Sequence, residues 1–365
     1  MQLATLVLSL TALGATAPDL PSAGGDAAEW KDGSPELTSI GALTFAPDGV
    51  LFVGDAEGAR IVAIDTMDST SSGLTRELDM QELPERIAFA TGTDARNIRI
   101  HDLAVHPLSG RAYLSVTRGG GSDAQALLVT VSGPDELEVL ELEDKRHMQL
   151  LLGDAPAPGG SGRRNQRAMS VTDLGFHDGQ LYVAGLSNEE FASKLRVFSF
   201  PFEGEGRGTN VEVYHGAHGA WETRAPIRTF LPIDLGGEPH LLAGYTCTPL
   251  VTFPMSDLAP EAKLRGKTVA ELGAGNAPID MVLYEQGGAQ FVLVSNTRHG
   301  LIKVSTEGIL GMQAITKPVS DKAGLSYESL EQYEDVTQLA RLDEGHALLL
   351  VQTDDAASLR AIELP

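Results

Sequence analysis

The feature that most constrains this chain is a phrase that recurs. Between Thr38 and Thr66 two apolar runs, Ile40 to Phe45 and Val50 to Val53, meet at Ala46-Pro47-Asp48-Gly49. A third run, Arg60 to Ile64, follows the turn Ala56-Glu57-Gly58. Short apolar runs joined by Pro, Asp and Gly read as antiparallel strands in hairpins. The phrase returns as IHDLAVHPLSGRAYLSV from Ile100, VTDLGFHDGQLYVAG from Val171, IDMVLYEQGGAQFVLVS from Ile279 and VTQLARLDEGHALLLVQ from Val336. A less regular copy runs from Ile227 through His240 to Cys247. The starts fall near residues 40, 100, 171, 227, 279 and 336, spacings that leave room for four strands and their loops in each unit. The expected fold is therefore all-β, a single β-propeller of six four-stranded blades over residues 36–365. A seventh blade within 70–98 or 306–334 is the alternative count. The last unit shows only three strands before Pro365, so a segment just ahead of Ile40 is expected to supply its fourth.

Composition agrees with frequent turns around a large core: of 365 residues, 42% are hydrophobic, 40 are Gly and 19 are Pro. The net charge of −23 argues against nucleic acid or an anionic membrane surface as partner, because phosphate backbones are gripped by clustered Lys and Arg. Leu3 to Ala15 is apolar and leads to Ala15-Thr16-Ala17, so residues 1–17 read as a secretory signal peptide, although no Lys or Arg precedes the run. A Gly/Ala/Pro-rich, flexible lead-in over 18–35 follows, and the mature protein is expected in the periplasm or secreted, as a monomer. The single cysteine, Cys247, excludes an internal disulfide, and a buried, inert thiol is its ordinary fate.

Alignment of the six units on their shared apolar residue puts Leu43, Leu103, Leu174, Phe230, Met281 and Leu339 in one register. One position earlier stand Ala42, Asp102, Asp173, Thr229, Asp280 and Gln338. Before them come Gly41, His101, Thr172, Arg228, Ile279 and Thr337. The first strand of a propeller blade lines the axis, so these residues are expected to ring one mouth of the channel. The ends of the second strands reach the same face and add Tyr245-Thr246-Cys247 and Asn296-Thr297-Arg298-His299. The three aspartates have two readings: caps on backbone N–H groups of the neighbouring blade, or a cage for a cation such as Ca²⁺. His101 beside Asp102 reads as an oriented base or a metal ligand. The stretch His215-Gly216-Ala217-His218, with Glu222 and Arg224, suits a metal or an anionic ligand, and Cys247 with His101 or His299 would make a soft site suited to copper.

Units such as FAPDGVLFVGD and FHDGQLYVAG resemble the repeats of the NHL, gluconolactonase-like and quinoprotein-like propellers, over nearly the whole chain. Asn276 with Asp280 resembles the Asn and Asp metal ligands of gluconolactonase-like propellers, whereas the paired N-terminal Glu of that family is not evident. G-x-S-x-G, H-E-x-x-H, Walker A and dinucleotide fingerprints are missing.

Two functions fit. The first is an exported enzyme with a metal (Ca, Cu or Zn) or organic cofactor over the channel, hydrolysing or oxidising a small polar substrate. Its catalytic candidates are His101, Arg228, Arg298 and His299, and its metal candidates are His101, Asp102, Asp173, His218, Cys247, Asn276 and Asp280. The second is a non-catalytic propeller that binds a protein, peptide or glycan on the same face. Low aromatic content, 5%, weighs against a sugar-stacking surface or a large protein interface.

Overall fold

The computed structural model describes residues 28–69, 73–159, 165–203, 208–354 and 356–365; the signal-peptide segment lies outside them. Six antiparallel sheets surround one axis. Numbered by the chain position of their inner strands, blade 1 comprises Leu43–Phe45, Val50–Asp55, Arg60–Asp65 and, outermost, His147–Leu151. Blade 2 comprises Ile98–Val105, Ala112–Arg118, Gln125–Gly133 and Glu136–Val139. Blade 3 runs from Asp173–His177 to Gly208–His215 and blade 4 from Ile227–Leu235 to Lys267–Leu272. Blade 5 runs from Pro278–Gln286 to Tyr327–Leu330. Blade 6 has Val336–Arg341, His346–Gln352 and Ala357–Glu363, and its outermost strand is Asp79–Met80.

The units thus fall where the repeat puts them, and six is the count. The two places where a seventh blade was sought hold other things. Residues 70–98 contain the outer strand of blade 6 and a helix, Leu83–Thr91, which Gly92 ends in a left-handed conformation at φ 65°. Residues 306–334 contain the outer strand of blade 5 and Lys322–Gly324, which adds an edge strand to blade 4. The closing strand of blade 6 is not the segment ahead of Ile40.

Chain order and ring order differ. Contacts between inner strands run blade 1 to 3, 3 to 4, 4 to 5, 5 to 6, 6 to 2 and 2 to 1, so blade 2 sits between blades 6 and 1. After the third strand of blade 1 the chain crosses to the rim of blade 6, builds blade 2, and only then returns to complete blade 1 with His147–Leu151. Two outer strands therefore come from segments remote from the sheets they finish, and both tie the N-terminal part of the chain into the ring. The described part of the lead-in joins them. Lys31 pairs with His147 through two backbone hydrogen bonds, and Trp30 meets Phe200 edge to face.

Six apolar clusters fill the six gaps between blades. The second strand of blade 1 shows how. Val50 and Phe52 pack toward blade 3 while Leu51 and Val53 pack toward blade 2, because successive side chains of a strand point to opposite faces. The polar fixings of blade 1 converge on Asp55, whose side chain is fully buried. It accepts backbone N–H bonds from Thr38, Ser39 and Gly58, a hydroxyl from Ser39 and the Arg60 guanidinium at 2.8 Å. Loss of this carboxylate strands five donors, so Asp55→Ala is expected to lower unfolding free energy by about 3–5 kcal/mol. Urea denaturation measures it, and a loss below about 1 kcal/mol would contradict the hub role.

Candidate functional site at the channel mouth

The first strands do line the axis. A basin of about 310 Å³ opens at one mouth, walled by Gly41, Ala42, His101, Asp102, Thr172, Asp173, Arg228, Thr229, Ile279, Asp280 and Gln338, with Thr246 at its edge. Neighbouring residues of a regular strand face opposite ways, yet His101 and Asp102 both reach the basin, as do Arg228 with Thr229 and Ile279 with Asp280. A β-bulge explains this in each case. Strand pairing skips one residue between Ile100 and Asp102, between Ile227 and Thr229, and between Pro278 and Asp280. The skipped residues are His101, Arg228 and Ile279, re-aimed by the bulge in the way bulges commonly serve sites. Blade 6 repeats the irregularity at Thr337, which lines a neighbouring groove instead.

The three aspartates mark the waist of the channel, for they also line a second hollow of about 320 Å³ on the far side. Each performs the capping task. Asp102 accepts the N–H of Leu103 at 2.8 Å and, across the gap, that of Leu43 in blade 1 at 2.6 Å. Asp173 accepts those of Leu174 and of Phe230 in blade 4. Asp280 accepts those of Met281 and of Leu339 in blade 6. Blades 2 and 1, 3 and 4, and 5 and 6 are thus latched in pairs, at the apolar residues whose register the sequence aligned.

Electrostatics at the waist is opposed. Burial, then repulsion from Asp280, pushes the Asp173 carboxyl up to about 8; its backbone bonds only partly offset this. Burial also raises Asp280, to about 6, and burial with repulsion from Asp280 and Asp173 lifts Asp102 well above the carboxylate range. Burial, aided by Arg99, lowers His101, whose Nε2 lies 2.8 Å from Thr117 Oγ1. Burial likewise lowers Arg228, against the attraction of Asp280. No acceptor among the described residues is hydrogen-bonded to the Arg228 guanidinium, which faces the basin.

The remaining candidates do not join this basin. Arg298 and His299 line a separate groove of about 560 Å³ between blades 5 and 6, adjacent through Ile279, and an Arg298 Nη1 bonds Ala274 O at 2.6 Å. Asn276 is fully buried, its amide held by Leu272 O at 3.1 Å, and it is not part of the basin wall that holds Asp280. Cys247 is not a core residue: it is half-exposed in the turn before Pro249–Pro254. Its companions are His215 and His218 rather than His101 or His299. One donor atom from each of these three residues lies within 4.8 Å of the other two. Among the described residues this is the group of three so placed; the aspartates are not, and each of their carboxylates already serves two backbone N–H groups. The waist therefore fits a Ca²⁺ cage poorly. His106, in the turn between the first two strands of blade 2, is buried and accepts the N–H groups of Leu108 and Ser109.

No family model matches the chain, and no curated protein does. Among solved structures it is similar to a glucose dehydrogenase, at 13% identity and a TM-score of 0.39, over 92% of this chain and 98% of that one. It is also similar to the PQQ-bound aldose sugar dehydrogenase of Streptomyces coelicolor, at 12% identity and a TM-score of 0.35, over 94% and 100%. Hydrazine synthase of Kuenenia stuttgartiensis matches at 10% identity and a TM-score of 0.35, over 91% and 97%. The chain is a six-bladed propeller on its own strand pairing, and its chemistry rests on its own residues. No described helix is long and apolar enough to cross a membrane.

The raised carboxyls give a pH signature. Folded Asp173 and Asp280 hold protons that the unfolded chain releases near pH 4, so the stability they contribute is full below that pH and is lost as pH rises toward about 8. Unfolding free energy should fall between pH 5 and pH 8, and Asp173→Asn should flatten that fall. An unchanged slope in the variant would show that Asp173 titrates as it does in the unfolded chain.

Proposed function

We propose that the protein is an enzyme acting over the channel mouth on a small polar molecule that carries an anionic group. The observation that carries this is Arg228: a half-buried guanidinium aimed by a β-bulge into a basin of about 310 Å³, with no hydrogen-bonded partner among the described residues. A half-buried cation left open in this way recognises carboxylate or phosphate oxygens. Across the basin His101 supplies a proton acceptor, because its lowered pKa keeps the ring neutral at pH 7. Protonated carboxyls at the waist can donate hydrogen bonds, which an ionised aspartate cannot. This donor, acceptor and cation set suits proton transfer during hydrolysis or oxidation. Export to the periplasm or beyond, the expectation from the N-terminal segment, belongs to the same proposal.

Calorimetric titration with small carboxylates, sugar acids and phosphorylated sugars tests it. One class should bind, and Arg228→Met should weaken that binding about 10- to 100-fold, the worth of a hydrogen bond to a charged group. His101→Gln should leave binding nearly intact and remove turnover. If no class binds, or Arg228→Met binds as well as the parent, the small-anion reading is lost and the non-catalytic propeller with a protein, peptide or glycan partner takes its place.

A further inference from the structure

A second site lies on the shoulder of the basin, where blades 3 and 4 meet. We propose that His215, His218 and Cys247 bind one transition-metal ion of the zinc and copper class. The donor atoms of the three side chains, from two different blades, all lie within 4.8 Å of one another, and the two imidazole rings are 3.8 Å apart. Two neighbouring features hold them in that arrangement.

Glu222 comes first. Its Oε1 contacts Nδ1 of His215 at 3.2 Å and Nδ1 of His218 at 2.5 Å. A carboxylate on Nδ1 orients the ring and leaves Nε2 as its ligand atom, the relation found at metal-bound histidines; in His215 that Nε2 lies 3.2 Å from the Thr248 hydroxyl oxygen, a contact the ion would replace. One glutamate does this for both rings. Glu271 comes second, buried on the outer strand of blade 4. Its Oε1 accepts the Gly216 N–H at 2.5 Å and its Oε2 accepts the Thr248 hydroxyl. It thereby clamps the turn that carries both histidines to the residue that follows Cys247. The turn itself closes through Gly219, at φ 66°, whose N–H reaches His215 O at 2.8 Å.

The donor set decides the class of ion. Thiolate and imidazole suit zinc and copper, whereas Ca²⁺ and Mg²⁺ take oxygen ligands. Three protein donors leave a coordination position for water or substrate. Access is provided as well: His215 is buried, but His218 is exposed and Cys247 half-exposed. Thr246, next to Cys247, lines the basin, so the ion would flank it.

Cobalt titration of the purified, chelator-stripped full chain tests it, with Co²⁺ as a coloured stand-in for Zn²⁺. Cys247 is the only cysteine, so any thiolate-to-cobalt charge-transfer band reports this site alone. One Co²⁺ per chain should bind with that band; Zn²⁺ should displace it, and millimolar Ca²⁺ should not. His218→Ala, at an exposed position, and Glu222→Gln should each weaken binding about 10- to 100-fold while the far-ultraviolet circular dichroism stays that of the parent. Absence of the band, displacement by Ca²⁺, or undiminished affinity in both variants would overturn the proposal.

Discussion

The whole arrangement depends on wedge packing between blades. Each sheet buries both faces, and each face finds its partner only in the adjoining sheet, so no blade has a finished core until its neighbours are present. Leu348 and Leu350 pack toward blade 2 while Ala347 and Leu349, on the same strand, pack toward blade 5. The ring therefore has to close, and here closure does not wait for the two ends of the chain to meet. A strand taken from the 79–80 region completes blade 6, and the chain then turns back through blade 2 to finish blade 1. Edges that would otherwise face solvent with unpaired N–H and C=O groups are paired in both blades.

The aspartate latches add direction to that packing. An apolar wedge resists separation but tolerates sliding, whereas a carboxylate bonded to one N–H on each of two inner strands fixes their register. Each such bond is worth roughly 0.5–1.5 kcal/mol to a protonated carboxyl and more to an ionised one, and three latches bind alternate gaps around the ring. The remaining gaps use weaker polar links: Gln338 donates to His101 O at 2.9 Å between blades 6 and 2. Packing three carboxylates at one waist has a cost, because burial and mutual repulsion both disfavour their ionised forms. The same groups thus hold the frame and set the electrostatics of the channel.

Much of this was legible in the sequence because the repeat is local. Hairpins with Pro-Asp-Gly or His-Asp-Gly turns declare themselves within a few residues, and aligning them placed Asp102, Asp173, Asp280 and Arg228 at one mouth. What was hidden is long-range. Nothing in residues 70–98 announces that Asp79–Met80 pairs with Ala357–Glu363, although the first two intervals between units are the longest and hold the crossed strands. The bulges at His101 and Arg228 leave no mark either, since a bulge is a property of pairing between two strands. Arg298 and His299 were drawn into the basin because sequence gives the height of a residue on a blade better than its angle around the axis. Cys247 was expected in the core because free cysteines are among the most buried residues. Its turn, between Tyr245 and Pro249, places it at the surface instead.

These placements explain why the channel waist and the shoulder differ in chemistry. A carboxylate that serves as a latch must keep its oxygens on backbone N–H groups, and an ion drawing on the same lone pairs would compete with the contact that sets blade spacing. Oxygen-rich as it is, the waist is committed to architecture. The shoulder divides the two tasks: Glu271 and the buried His215, whose Nε2 lies 3.2 Å from Thr248 Oγ1, tie the two turns together, whereas His218 and Cys247 carry no contact between blades 3 and 4 among those described. Side chains free of structural work are the ones available for chemistry. By that criterion the side chains on which the two proposals rest are Arg228, at a bulge and with no hydrogen-bonded partner among the described residues, and His218 and Cys247 at the junction of blades 3 and 4.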